Sequence, residues 1–159
     1  MALYSESNKL AGSLQNLAAT PGKTLINLTA LTGAATLKRG WIYEWEVGAD
    51  GPPNATDCAI VWEFMRNTTV GTATAATPSP LDPADTAAGL VCSVNHTVEP
   101  TLGVSLMAVA LNQRNSQRWI ARDEKSALII PAVTVNGIGL RAYSPTYAST
   151  GVATLFHAE

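Results

Sequence analysis

Four side chains of this sequence are of the kinds that bind transition metals: Cys58, Cys92, His96 and His157. A zinc site takes three or four ligands from cysteine, histidine and carboxylates. None of the four stands in a ligand spacing such as C-x-x-C or H-x-x-x-H. We therefore predict no metal and no cofactor. The simpler interpretation is two buried thiols, one hydrogen-bonded histidine and one exposed histidine.

Two pairs of nearby carboxylates, Asp82 with Asp85 and Asp123 with Glu124, have the residue types that cleave glycosides. The first pair is better explained by a short helical turn over residues 82–89, in which Asp82 caps the first amides and acidic residues favour the positive end of the turn. The second pair fits a solvated turn. Neither pair needs a catalytic role.

Asp50, Asn54 and Asp57 place side-chain oxygens around a loop rich in glycine and proline, and oxygen is the ligand that calcium prefers. Their spacing matches no EF-hand, and turn formation alone explains them. The sequence also lacks a Gly-x-Ser-x-Gly elbow and a dinucleotide-binding glycine pattern. Serines are plentiful, so composition leaves a Ser-His-Asp triad open. We nevertheless predict no catalytic residue and no enzyme.

The elements that carry these residues alternate with a period of two, which indicates β-strands. Residues 41–47 place four apolar side chains on one face: Trp41, Tyr43, Trp45 and Val47. Residues 58–66 do the same with Trp62 and Phe64. Turn-forming residues lie between the two segments, so we predict an antiparallel pair joined by a long loop. The aromatic stripe fits a sandwich core, and it also fits a sugar-binding platform or a subunit interface.

Seven further segments have the composition of strands: residues 24–31, 93–98, 103–112, 117–121, 128–135, 137–143 and 153–157. Residues 71–81 are rich in threonine, alanine and proline and predict an extended surface loop. Residues 1–23 have weak periodicity and predict a possible extended N-terminal arm. The sequence predicts an all-β fold: a single domain over residues 1–159, with a jelly-roll-like antiparallel β-sandwich of about eight strands and one short helical turn.

Composition limits the partners of such a domain. Charged residues make up 14% and the net charge is −2, so no basic stripe is present for nucleic acid. No apolar run approaches the roughly 20 residues that cross a bilayer, and the N-terminus lacks the features of a signal peptide. We expect synthesis in the cytoplasm of a host cell and no membrane partner. The low charge fits a chain that a partner covers, as in a homotrimer, and it also fits a monomeric β-domain.

Three stretches resemble the small capsid decoration, or cement, proteins of tailed bacteriophages. They are residues 39–45 (RGWIYEW), residues 59–88 with their Thr/Ala loop and PLDPAD segment, and residues 95–101 (NHTVEPT). The resemblance implies a jelly-roll-type domain, commonly trimeric, that binds the major capsid protein on the capsid exterior of the virion. The alternative is a carbohydrate- or receptor-binding β-sandwich of the virion.

Overall fold

The structure is a computed structural model that describes residues 1–9, 15–17, 22–30, 36–144 and 149–159. These residues form thirteen strands and no helix, so none of their elements is a helix able to span a bilayer. The strands are β1 (Leu3–Ser7), β2 (Gln15–Asn16), β3 (Lys23–Ala30), β4 (Gly40–Asp50), β5 (Ala59–Asn67), β6 (Thr72–Ala76), β7 (Ser79–Pro80), β8 (Leu90–Val98), β9 (Leu102–Asn112), β10 (Ser116–Ile120), β11 (Leu128–Ile130), β12 (Gly137–Tyr143) and β13 (Thr150–Ala158).

Two antiparallel sheets form the sandwich. The seven-stranded sheet has the order β10-β4-β13-β1-β7, with β11 also beside β4 and β2 beside β13. The six-stranded sheet has the order β6-β8-β3-β12-β5-β9. The predicted all-β antiparallel sandwich is confirmed.

Eight of the strands follow a jelly-roll order. Along the chain they are β1, β3, β4, β5, β9, β10, β12 and β13. In one sheet the first, eighth, third and sixth of them lie side by side, which are β1, β13, β4 and β10. In the other sheet the second, seventh, fourth and fifth lie side by side, which are β3, β12, β5 and β9. The segment that carries β6, β7 and β8 is inserted between the fourth and fifth of these strands, and it extends both sheets at the same side of the sandwich.

The inner faces of the sheets enclose one apolar core, and its largest fully buried side chains include Trp45, Trp62, Tyr4 and Phe64. Burying a large aromatic side chain removes about 150–250 Å² from water, so these rings supply much of the driving force for folding.

The predicted pairing of residues 41–47 with residues 58–66 is wrong. β4 belongs to the seven-stranded sheet and β5 to the six-stranded sheet, so the two strands face each other across the core. Residues 51–58 are long enough to carry the chain from one sheet to the other. Alternation predicts which face of a strand is buried, but it does not say which strand lies alongside, because a facing strand has the same pattern.

The predicted single face of Trp41, Tyr43, Trp45 and Val47 is also wrong, because β4 contains a bulge. Opposite β13, Phe156 pairs with Glu44 and His157 pairs with Ile42, so the residue between them has no partner. An extra residue in one strand reverses the alternation beyond it. Trp45 therefore points into the core, as does Ile42, while Trp41 and Tyr43 lie half-buried outside the core cluster.

The helical turn predicted over residues 82–89 is reduced to one hydrogen-bonded turn. The backbone N–H of Asp85 donates to the Asp82 carbonyl at 3.0 Å, and the N–H of Ala84 donates to Asp82 Oδ1 at 2.9 Å. The expected cap is present, but no second turn follows, since isolated short helices are unstable. The predicted loop over residues 71–81 contains the strands β6 and β7, because its backbone pairs with β8 and β1.

Residues 3–7 of the arm predicted over residues 1–23 form the strand β1. Here β1 lies between β13 and β7 of its own sheet, and Tyr4 is fully buried. The strand is short and its sequence mixes polar and apolar residues, which hid its periodicity. Residues 10–14 and 18–21 of the proposed arm, and residue 31 of a predicted strand, lie outside the described residues.

Candidate interaction surfaces

The four cysteine and histidine residues considered as metal ligands occupy separate positions. His96 is on β8 and His157 is on β13, in different sheets. Cys92 is buried and Cys58 is half-buried, and both thiols are free. Within the described ranges, no group of three or more histidine, cysteine or acidic residues is placed to hold a metal ion.

The hydrogen-bond partners of His96 are neutral groups. Its Nδ1 lies 3.1 Å from the Thr24 carbonyl oxygen, and its Nε2 lies 3.3 Å from Ser93 Oγ. Burial lowers the pKa of His96 and outweighs the opposing hydrogen bond of the Thr24 carbonyl. A backbone carbonyl thus occupies the place that a carboxylate takes in a catalytic triad.

His157 is buried, so the expectation of an exposed histidine is wrong. Its Nδ1 lies 3.0 Å from Glu6 Oε2, and its Nε2 lies 3.2 Å from Glu159 Oε1. The Tyr4 ring stacks on the imidazole with ring centroids 5.1 Å apart. Burial alone lowers the pKa of His157, but the hydrogen bonds and charges of Glu159 and Glu6 outweigh it and raise the pKa to about 9. The ring is therefore an imidazolium that links β13 to β1 and to Glu159.

The carboxylates singled out in the sequence serve local structure. Asp82 caps its own turn, and Asp123 Oδ1 accepts the backbone N–H of Ser126 at 2.9 Å. Asp57 lies 3.2 Å from Arg114 Nε, and the hydrogen bond from that guanidinium lowers the pKa of Asp57. These contacts give each side chain a structural role.

An aromatic cleft opens on the outer face of the seven-stranded sheet. Its volume is about 140 Å³, and its lining includes Met1, Leu3, Trp41, Tyr43, Ala121, Asp123, Glu124, Ala127 and Ala158. The β4 bulge creates it, because the bulge turns Trp41 and Tyr43 away from the core. Around it, Leu3 is 38% exposed and Met1 is 75% exposed. A tryptophan and a tyrosine thus form an apolar floor beside two exposed carboxylates.

The outer strand β9 is a second open surface. It pairs with β5 on one side, and no other described strand pairs with it. Its eleven residues carry no charge, and Val104 is 71% exposed. An unpaired strand edge presents free backbone N–H and C=O groups to another chain.

The opposite edge of the same sheet borders a shallow cleft of about 410 Å³. Its lining comes from β3, β6, β8 and the turn before β6, and it includes Val70, Ala73, Ala75, Val91 and Ser93. All of these side chains are small or uncharged. The surface therefore suits contact with another uncharged backbone segment.

Comparison with protein families, with curated proteins and with solved structures finds no match to this chain. The fold and the surfaces therefore define the class, an all-β jelly-roll sandwich with open apolar surfaces.

Proposed function

We propose that this chain is a structural virion protein that binds the outside of a phage capsid and stabilises it. The observation that carries the proposal is the aromatic cleft: Trp41 and Tyr43 lie outside the core and line an open apolar surface. Aromatic residues at a half-buried site supply much of the energy of protein interfaces. The resemblance of residues 39–45, 59–88 and 95–101 to decoration proteins supports the major capsid protein as the partner.

Stabilisation follows from mass action and requires no catalysis. A protein that binds the assembled shell and not its separated subunits stabilises the shell by its binding free energy. Contacts repeated over a symmetric particle add through avidity, so a modest affinity at each site is enough. We propose a homotrimer as the binding unit, because each added copy contributes another cleft.

The test compares phage particles that carry the protein with particles that lack it. We expect particles without it to release their genome at a lower temperature, and added purified protein to restore the original value. Trp41→Ala should bind particles at least tenfold more weakly and restore them poorly, while its own melting temperature changes little. Val133→Ala is the matched control, since it shortens an exposed apolar side chain outside the aromatic cleft. If particles without the protein release their genome at the same temperature as particles that carry it, the proposal is contradicted.

A carbohydrate-binding virion protein is the second candidate, and the composition of the same cleft favours it. Sugars stack on aromatic faces, and carboxylates such as Asp123 and Glu124 accept hydrogen bonds from hydroxyl groups. Binding of the wild-type protein to an immobilised glycan, with loss of that binding in Trp41→Ala, would support this function. If the protein is also absent from the capsid surface, carbohydrate binding replaces capsid stabilisation as the proposed function.

A further inference from the structure

The two sheets end differently. The seven-stranded sheet ends at β7, which has only two residues and includes Pro80, and at β10, which carries Arg118. Short length, proline and charge are devices that stop a sheet edge from pairing with another chain. The six-stranded sheet ends at β6 and β9, and neither strand contains a charge or a proline.

A β-bulge is another feature that keeps a sheet edge from pairing with another chain, and half of β9 has none. Its pairing with β5 shifts register twice between Leu102 and Met107, but residues 107–112 pair one-to-one with residues 59–64. Along this regular half, Met107, Val109 and Leu111 pack against the core yet stay half-buried. The core is thus incompletely covered at this edge.

β6 is the complementary edge at the far side of the same sheet. It pairs with β8, and no other described strand lies beside it. Its five residues, Thr72–Ala76, are small, so another backbone can approach closely. The regular half of β9 has nearly the same length. All pairs in this sheet are antiparallel and its strands number six, so β6 and β9 run in opposite directions.

We infer that β9 of one copy pairs with β6 of the next copy, head to tail, and that identical copies close into a ring. Every copy offers both edges, and their opposite directions let a rotated neighbour continue the antiparallel sheet without a change of pattern. The contact completes the hydrogen bonds of both edges and covers the half-buried side chains of β9. Because no charge lies on either strand, desolvation costs little. Such a heterologous contact forms rings when the rotation closes.

The test uses charges at four positions on the outer face of the sheet, Ala108 and Ala110 on β9 and Ala73 and Ala75 on β6. One variant has lysine at all four positions. The matched variant has lysine at 108 and 110 and glutamate at 73 and 75. Like charges directly opposite destabilise a strand pair, and opposite charges do not. In low salt we expect wild type and the lysine/glutamate variant to have a multiple of the chain mass by light scattering, and the all-lysine variant to associate at least tenfold more weakly.

Three outcomes would overturn the inference. If the wild type is a monomer at micromolar concentration, the contact does not form. If all three proteins assemble, the contact between copies lies elsewhere on the surface. If both variants lose assembly, β9 pairs with β9 of another copy and not with β6. Circular dichroism checks that the variants fold. Hydrogen exchange of wild type is a second measurement that needs no variant: on dilution to monomers, amides of residues 72–76 and 107–112 should lose protection together. The experiment uses free protein, so its result is independent of capsid binding.

Discussion

Trp45 on β4 packs against Phe64 on β5 across the middle of the sandwich, with ring centroids 5.4 Å apart and planes tilted by 38°. Trp119 on β10 stacks on Trp45 with ring centroids 6.0 Å apart. Tilted and offset aromatic pairs are worth about 0.5–1.5 kcal/mol beyond the area that they bury. This row of rings links the two sheets at their centre and continues toward the edge formed by β10.

Trp62→Ala should lower the free energy of unfolding by about 3–5 kcal/mol, the usual cost of truncating a buried large aromatic side chain. Trp62 is 1% exposed and belongs, with Phe64 and Leu25, to the core cluster. Urea unfolding measures the change. Trp119→Ala is the control, since that ring is half-buried and its loss should cost less. Equal melting temperatures for wild type and Trp62→Ala would remove Trp62 from the core.

Gly137→Ala should destabilise the protein by about 1–3 kcal/mol through overpacking. A Cβ at this position would lie 2.0 Å from the Leu28 carbonyl oxygen and 2.6 Å from Thr29 Cγ2, and the backbone contact cannot be relieved by a rotamer change. At Gly48 the nearest atom would be Ser116 Cβ at 3.4 Å, so Gly48→Ala is the matched control. Thermal melts of both variants give the comparison, and a smaller loss at Gly137 than at Gly48 would contradict the packing described here.

Stability should fall as pH rises from about 6.5 to about 9. The folded pKa of His157 is raised from 6.5 to about 9, so its contribution is complete below the unfolded value and is lost as the pH passes through the folded value. Burial raises the pKa of Glu6, which gives a dependence of the same sign. We expect a loss of about 1–3 kcal/mol over this interval.

Urea unfolding at pH 6 and pH 9 measures this loss, and His157→Gln supplies the control. The amide keeps hydrogen-bonding capacity but does not titrate in this range. The variant should therefore be less stable than wild type at pH 6 and should show a flatter dependence. An equally steep loss in His157→Gln would assign the effect to another group.

Cys58 should react with a thiol reagent before Cys92 in the folded protein. Burial raises the pKa of the Cys92 thiol well above its usual value, and the thiolate is the reactive form. Cys58 is half-buried next to Gln113 and is therefore more accessible. Mass spectrometry after brief labelling checks the order, and in urea both cysteines should react. Faster labelling of Cys92 would indicate that the edge near β6 opens.

Much of the fold was predictable because burial leaves a period-two pattern in the sequence. Residues 103–112 and 137–143 were correctly predicted as strands, and Trp62 and Phe64 as inward-facing. The position of a bulge was not predictable, because Tyr43 carries no local signal for it. The outward aromatic cleft depends on that bulge, so the sequence supports an outward aromatic surface only as an alternative to a continuous core stripe.

Contacts between distant residues were the least predictable. Glu6 and His157 are separated by most of the chain, and neither segment shows that the other is its partner. Their pairing follows from β1 lying beside β13, which is a property of the topology. A buried histidine between two acidic residues therefore became visible only in three dimensions.

The central place of β13 also sets the order of events during synthesis. β13 lies between β4 and β1, so the seven-stranded sheet stays divided while residues 150–158 are still inside the ribosome. Its two halves must wait for β13, which follows the other described strands in the sequence. Pairings over such sequence distances form slowly. The nascent chain consequently exposes unpaired apolar strands until β13 emerges, and a chaperone that shields them would raise the yield of folded protein without affecting the finished domain.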